Sequence, residues 1–206
     1  MEYAVNGIIS SVISTSIFYP LDTLKSRKQA GLSLGTFSSL YKGIKPELLS
    51  CAPSAFIYWF TYYNCRDYNL TTTESAFISC ITSNVFDTPF DIRKKRNQLG
   101  DHLINNGNIY KYCFANVMSS VVYNLFYLNV LKKLKNDYGM SNGVSIMGAS
   151  SVSAIMSYPM DRWKTGIVYP TNVSYFKGLG YRLIHANTYS SAYMLLFLWL
   201  NGDKIV

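Results

Sequence analysis

A proline, an acid and a base recur three times in this chain as Pro-x-Asp-x-x-Lys. The copies are Pro20-Leu21-Asp22-Thr23-Leu24-Lys25, Pro89-Phe90-Asp91-Ile92-Arg93-Lys94 and Pro159-Met160-Asp161-Arg162-Trp163-Lys164, with their prolines 69 and 70 residues apart. Each copy closes a long apolar stretch and opens a basic one. A helix-bending residue beside two opposite charges, in triplicate at the edge of apolar segments, has the parts of a gate that works by pairing charges. It lacks the parts of a catalytic centre. No Ser/His/Asp set, metal-ligand cluster or Gly-rich phosphate loop accompanies it, so neither an enzyme nor a cofactor is expected.

The elements that carry these corners are nearly free of charge. Tyr3–Leu21, Leu48–Cys65, Tyr112–Leu131 and Tyr138–Met160 contain no Asp, Glu, Lys or Arg, and Leu183–Gly202 adds only His185. Ser75–Phe86 is a shorter sixth stretch. A membrane-spanning helix needs about 20 mostly apolar residues, and five of these six segments meet or approach that length. Mean hydropathy is nonetheless close to zero, because Ser, Thr, Asn and Tyr are mixed among the aliphatics. Helices that turn a polar face inward and an apolar face to lipid have this composition. A soluble six-helix bundle is the alternative, but it would place charge on each exposed face every few residues, which the uncharged runs disfavour.

The net charge is +8, from 19 Lys and Arg against 11 Asp and Glu. The bases gather at segment ends, as in Lys25–Lys28, Arg93–Arg96 and Lys132–Lys135, where membrane helices place them. That favours a bilayer over a nucleic-acid polymer as partner, and anionic lipid could be attracted as well. Cys51, Cys65, Cys80 and Cys113 show no metal-ligand or disulfide spacing and read as small thiols. His102 falls in an expected loop, and no cleavable leader is apparent before the first helix.

Aligning the three corners brings a second match into register. Leu40-Tyr41-Lys42-Gly43-Ile44, Ile109-Tyr110-Lys111-Tyr112-Cys113 and Tyr175-Phe176-Lys177-Gly178-Leu179 stand at equivalent places. Each unit therefore reads as an odd helix, the Pro-Asp-Lys corner, a short basic connector, an aromatic-Lys-Gly turn and an even helix. The repeats are expected at 1–70, 71–139 and 140–206. Small residues four apart on the odd helices (Gly7 and Ser11, Ala76 and Cys80, Ala149 and Ser153) would let neighbours approach closely.

Tyr19-Pro20-Leu21-Asp22-Thr23-Leu24-Lys25-Ser26-Arg27-Lys28-Gln29, then Leu40-Tyr41-Lys42-Gly43, Pro46-Glu47-Leu48-Leu49 and Ala52-Pro53-Ser54-Ala55, resemble the mitochondrial carrier family. The resemblance extends over the whole chain as three copies. It implies an all-α membrane protein, a single carrier domain of six transmembrane helices in three pseudo-threefold repeats. It also implies a monomeric secondary transporter of a small solute, working by alternating access in the mitochondrial inner membrane or a related organelle membrane. Cardiolipin is the anionic lipid such a protein would meet.

By the same resemblance, a matrix-side network pairs Asp22 with Lys94, Asp91 with Lys164, and Asp161 with Lys25. Gln29 and Gln98 would brace it, while Val168 leaves the third copy without a brace. Pro20, Pro89 and Pro159 would bend the odd helices together. Charged pairs held partly away from water are costly to assemble, so the closed gate should be favoured by only a few kcal/mol, within reach of a solute's differential affinity.

Two departures from the family pattern stand out. Only 11 residues separate Gln29 from Tyr41, and Gln98 from Tyr110, so the matrix-side connectors are shortened to loops or single turns. The far ends of the even helices read Tyr62-Tyr63-Asn64-Cys65-Arg66, Leu131-Lys132-Lys133-Leu134-Lys135 and Phe197-Leu198-Trp199-Leu200-Asn201, with no acid where the family usually has one. The outer gate is then aromatic, leaky or absent, which leaves exchange and uniport both open.

Counting nine and ten residues past each turn aromatic places substrate contacts at Ser50 and Cys51, at Ser119 and Ser120, and at His185 and Ala186. One turn deeper lie Ser54, Tyr123 and Tyr189. This ring is hydroxylated and almost uncharged, unlike that of a carrier for di- or tricarboxylates. Tyrosines could stack on a planar base, and Ser50-Cys51-Ala52-Pro53-Ser54-Ala55 is similar to the S-adenosylmethionine carrier branch. S-adenosylmethionine and a nucleotide are both admitted. The competing reading is a carrier-fold protein that no longer transports and acts as a membrane scaffold or interaction partner.

Overall fold

In apolar surroundings a backbone must satisfy its own hydrogen bonds, and the helix does so within one segment. The computed structural model describes residues 2–99, 109–169 and 174–202. It holds α1 (Glu2–Ala30), α2 (Ile44–Asp67), α3 (Thr72–Leu99), α4 (Ile109–Asn136), α5 (Asn142–Val168) and α6 (Leu179–Leu200). No strand occurs among the described residues, and His102 lies outside them. The shortest helix, α6 with 22 residues, is about 33 Å long, enough to cross a hydrocarbon layer of about 30 Å. Two helices, α1 over Ala4–Ala30 and α4, are also apolar enough by composition to be spans.

Each helix packs against its neighbours in sequence, and α6 returns to α1, closing a ring. The interior of the ring is small and polar. Ser10, Ser14, Ser75, Ser79, Ser150 and Ser157 are fully buried. The outside is large and apolar, as α1 makes plain with Val5, Ile9, Ile13 and Ile17 exposed at four-residue spacing. A soluble bundle has the reverse arrangement. The small residues sit where helices meet. Ala76, Cys80, Ala149 and Ser153 are buried, Ser11 Oγ lies 2.9 Å from Cys51 Sγ of α2, and a Cβ on Gly7 would overlap the Trp59 ring.

Pro20, Pro89 and Pro159 lie inside α1, α3 and α5, and Pro53 lies inside α2. The connector after α1 carries a single 3-10 turn, Phe37–Tyr41. Arg27 clamps that connector, donating to Leu34 O at 2.7 Å and to Ser39 Oγ at 2.9 Å, while its Nε donates to Gln98 O at 3.2 Å.

The aromatic-Lys-Gly turn forms in two of its three copies. Gly43 (φ +90°) and Gly178 (φ +97°) adopt the left-handed conformation ahead of α2 and α6, which glycine reaches without steric cost. Tyr19 donates to Lys42 O at 2.9 Å and Tyr158 to Lys177 O at 2.8 Å, fastening each turn to the odd helix beside its proline. In the second copy Tyr112 replaces the glycine, and Tyr110-Lys111-Tyr112 lies inside α4, which already begins at Ile109.

Candidate functional site

The C-terminal halves of α1, α3 and α5 bring the six charges of the Pro-Asp-Lys corners together. Lys94 Nζ lies 3.1 Å from Asp22, Lys164 Nζ 3.0 Å from Asp91, and Lys25 Nζ 3.7 Å from Asp161. All six residues are buried. Contacts within α1 and α3 compete with these pairs: Lys25 lies 3.1 Å from Asp22 and Lys94 lies 3.7 Å from Asp91. Lys25 and Lys94 thus each touch two carboxylates of the ring, whereas Lys164 touches Asp91, so repulsion between like charges is offset by close counter-charges.

Two glutamines lie across pairs. Gln29 donates to Asp161 Oδ2 at 2.8 Å and accepts from Thr165 at 2.9 Å. Gln98 donates to Asp22 Oδ2 at 3.1 Å. At the third pair Val168 is buried in an apolar cluster with Ala30, Ile92, Leu99 and Tyr112. There α4 supplies the polar contacts: Tyr112 donates to Asp91 Oδ2 at 2.6 Å, and Lys164 donates to Asn116 Oδ1 at 3.0 Å. Sequence reasoning missed this arrangement, although a Tyr where the other copies have Gly marked the position.

Two further charges join the ring from even helices. Glu47 of α2 lies 2.9 Å from Lys94, and Arg182 of α6 lies 3.5 Å from Asp161. The Arg182 guanidinium also sits 5.8 Å from the centre of the Tyr123 ring, within cation–π range.

Beyond the charged ring the bundle opens into two adjoining chambers, of about 240 Å³ on the charged floor and about 390 Å³ above it. Tyr123, Asn124, Tyr189 and Ser190 line both. Of the residues counted from the sequence, Ser50, Cys51 and Ser54 line the upper chamber, Ser119, Ser120, His185 and Ala186 the lower, and Tyr123 and Tyr189 the boundary. Tyr123 OH and Ser190 Oγ stand 2.7 Å apart and bridge α4 to α6. Ser120 donates to Asn84 Oδ1 at 2.8 Å, and His185 stacks on Tyr189 with centroids 5.8 Å apart.

The walls are not uncharged, as a count along the even helices alone would have them. Asp87 of α3 and Glu47 line the upper chamber, and Lys95 and Arg182 the lower. Asp87 was detectable as an acid directly after the uncharged run Ser75–Phe86 and one turn before the Asp91 of the corner motif. Lys95 was hidden, because the four consecutive bases Arg93–Arg96 read as a solvated helix end.

At the opposite end the helices meet through rings. Trp59 stacks on Phe197 at 4.4 Å and donates to Tyr193 OH at 2.7 Å, and Tyr189, Tyr193 and Phe197 stack in turn along α6. Asn6 of α1 donates to Leu200 O and Asn201 Oδ1 at 3.3 and 2.8 Å. The four cysteines are free, Cys51 and Cys80 buried, Cys65 and Cys113 partly so. Among the described residues no cluster of His, Cys, Asp and Glu could hold a metal ion.

A family model described as "Mitochondrial carrier protein" matches residues 1–73. An uncharacterized mitochondrial carrier of Schizosaccharomyces pombe is 24% identical over 226 aligned residues, covering 91% of this chain and 87% of the relative. Mitochondrial thiamine pyrophosphate carrier 1 of Scheffersomyces stipitis is 26% identical over 172 residues, 73% of this chain and 53% of the relative. The S-adenosylmethionine mitochondrial carrier protein homolog of Drosophila melanogaster is 27% identical over 105 residues, 45% of this chain and 37% of the relative. The match thus spans about half of the second relative and less of the third.

Proposed function

Because the chain belongs to the mitochondrial carrier family, we propose that it moves a small solute across an organelle membrane, the mitochondrial inner membrane first among the candidates. In this reading all six helices span the bilayer as three repeats, 1–70, 71–139 and 140–206. The Asp22–Lys94, Asp91–Lys164 and Asp161–Lys25 pairs form a matrix-side gate braced by Gln29 and Gln98. The single observation that carries the reading is the closed ring of three ion pairs directly beneath a cavity.

The mechanism follows from the energetics of that ring. Each buried pair has given up water, so its net contribution is small although its geometry is good. A solute that binds the open-gate form more tightly than the closed one by a few kcal/mol would invert the balance. The prolines inside α1, α3 and α5 leave a backbone carbonyl unbonded one turn earlier, and give the odd helices a place to bend. The aromatic contacts of Trp59, Tyr193 and Phe197 take the part of the second gate, without charge.

The solute is a separate question. Two of the relatives are named for thiamine pyrophosphate and S-adenosylmethionine and another for glycine, and the ring-lined upper chamber suits a planar heterocycle. Uptake by liposomes containing the purified chain tests the proposal, with a library that includes nucleotides, S-adenosylmethionine, thiamine pyrophosphate and amino acids. Accumulation of one solute, abolished by Asp91→Lys, is the expected result. No uptake of any member would leave the scaffold reading in its place.

A further inference from the structure

The upper chamber is lined by the acids Asp87 and Glu47, whereas the floor sets five bases (Lys25, Lys94, Lys95, Lys164 and Arg182) against the three acids of the ring. In the upper chamber the half-buried Asp87 accepts from Ser54 at 3.3 Å, and no cation lies within ion-pair distance of it among the described residues. Tyr58, Trp59, Tyr127 and Tyr193 line the same chamber. On the floor the order is reversed. Lys95 is 1% exposed and donates to Ser26 Oγ, with no carboxylate within ion-pair distance among the described residues. Arg182 reaches Asp161 and Ser157 with its terminal nitrogens, but its buried Nε has no acceptor.

A buried charge without a counter-charge costs several kcal/mol. Buried Lys95 and half-buried Asp87, of opposite sign on one helix and facing chambers that share a wall, are complementary to a ligand that brings both missing charges. Asp87 and Lys95 are eight residues apart on α3, which is about 12 Å along the helix axis. A ligand that meets both groups therefore carries its two charges several ångströms apart. An α-amino acid, whose two charges flank one carbon, is too short. The rings around Asp87 favour a flat cationic head, held between a carboxylate below and aromatic faces beside it.

We propose that the cavity receives an amphoteric solute lengthwise, a planar cationic heterocycle seated against Asp87 and an anionic tail, phosphate or carboxylate, seated on Lys95 and Arg182. The assignment rests on the carrier reading only in taking the cavity as the solute's path. It makes α3, and not only the even helices, a determinant of specificity. The tail would arrive beside the ion-pair ring, where it competes for Lys94 and Lys164 and so couples occupancy to opening.

The test is the thermal stability of the purified full chain with thiamine, inorganic pyrophosphate and thiamine pyrophosphate, because a ligand of the folded state raises the melting temperature. An amphoteric probe should stabilise the chain at lower concentration than thiamine or pyrophosphate. Asp87→Asn should raise the half-saturating concentration of thiamine and of thiamine pyrophosphate about tenfold or more and leave pyrophosphate unchanged. Lys95→Gln should do the converse. Equal responses to whole and half probes, unchanged responses in both variants, or no response to thiamine pyrophosphate would overturn the assignment. Liposome uptake separates it from the carrier reading. Uptake of an unrelated solute without any of these shifts sinks the assignment alone, whereas stabilisation by thiamine pyrophosphate without uptake of any solute sinks the carrier reading alone.

Discussion

Tyr112 donates its hydroxyl proton to Asp91 Oδ2 at 2.6 Å, on the same oxygen that Lys164 reaches at 3.0 Å. The third ion pair thus has a brace, supplied by α4 in place of an odd helix. Tyr112→Phe removes that hydrogen bond and leaves no orphaned donor. A hydrogen bond to a charged group contributes about 1.5–3 kcal/mol, so the variant should melt at lower temperature. In liposomes it should also hold the gate closed less firmly, read as faster uptake or as leak.

The opposite substitution tests the sequence-level idea of a missing glutamine. Val168 is 1% exposed and packs with Ala30, Ile92, Leu99 and Tyr112. Val168→Gln would place an amide among apolar side chains while Asp91 and Lys164 already have partners. It should destabilise by about 1–3 kcal/mol. A higher melting temperature would mean that the glutamine reaches the ion pair after all.

Reversal of one charge in a ring differs from exchange of a pair. Asp91→Lys sets three lysines (Lys94, Lys95 and Lys164) around the new ammonium and should abolish uptake. Adding Lys164→Asp restores the alternation and should recover part of it. Equal loss in the single and double variants would argue that these residues only anchor helix ends.

Gly7 and Gly166 form a matched pair of probes. A Cβ at Gly7 would overlap the Trp59 ring, whereas nothing lies within 4 Å of one at Gly166. Gly7→Ala should displace Trp59 from Phe197, cost about 1–3 kcal/mol through overpacking, and shift the tryptophan fluorescence. Gly166→Ala should stabilise α5 by up to about 1 kcal/mol through helix propensity.

Cys51 lines the upper chamber between Ser11 and Thr15. If the chamber is the solute's path, a small thiol reagent should modify Cys51 more slowly when a transported solute is present. Cys80, buried against α4 through Asn124 and absent from both chamber linings, should react at a rate the solute does not change.

How much of this was legible beforehand differs from element to element. Uncharged runs such as Tyr3–Leu21 and Tyr112–Leu131 disclosed helices, because length and absence of charge are one-dimensional properties. The corner motifs disclosed which acids could find which bases, since a repeat fixes equivalent positions at equivalent heights. Ser50, Ser119 and His185 were found by the same counting, and they line the chambers. Missed were the contributions that depend on rotation about a helix axis and on a neighbour's approach. Arg182 precedes His185 by one turn, yet whether it points to lipid, to Tyr123 or to Asp161 follows from the packing of α5 and α6.

Sequence alone determined the number of helices, the three proline corners and the partners available to each charge, because these rest on composition and spacing along the chain. Only the tertiary structure decided that Tyr112 and Asn116 stand where a third glutamine is lacking. It alone sank Lys95 into the floor and left Asp87 facing an aromatic chamber. The physical reason is that burial and partnership belong to the gaps between helices. A gap is shaped by side chains from segments far apart in the chain, and no single segment encodes it.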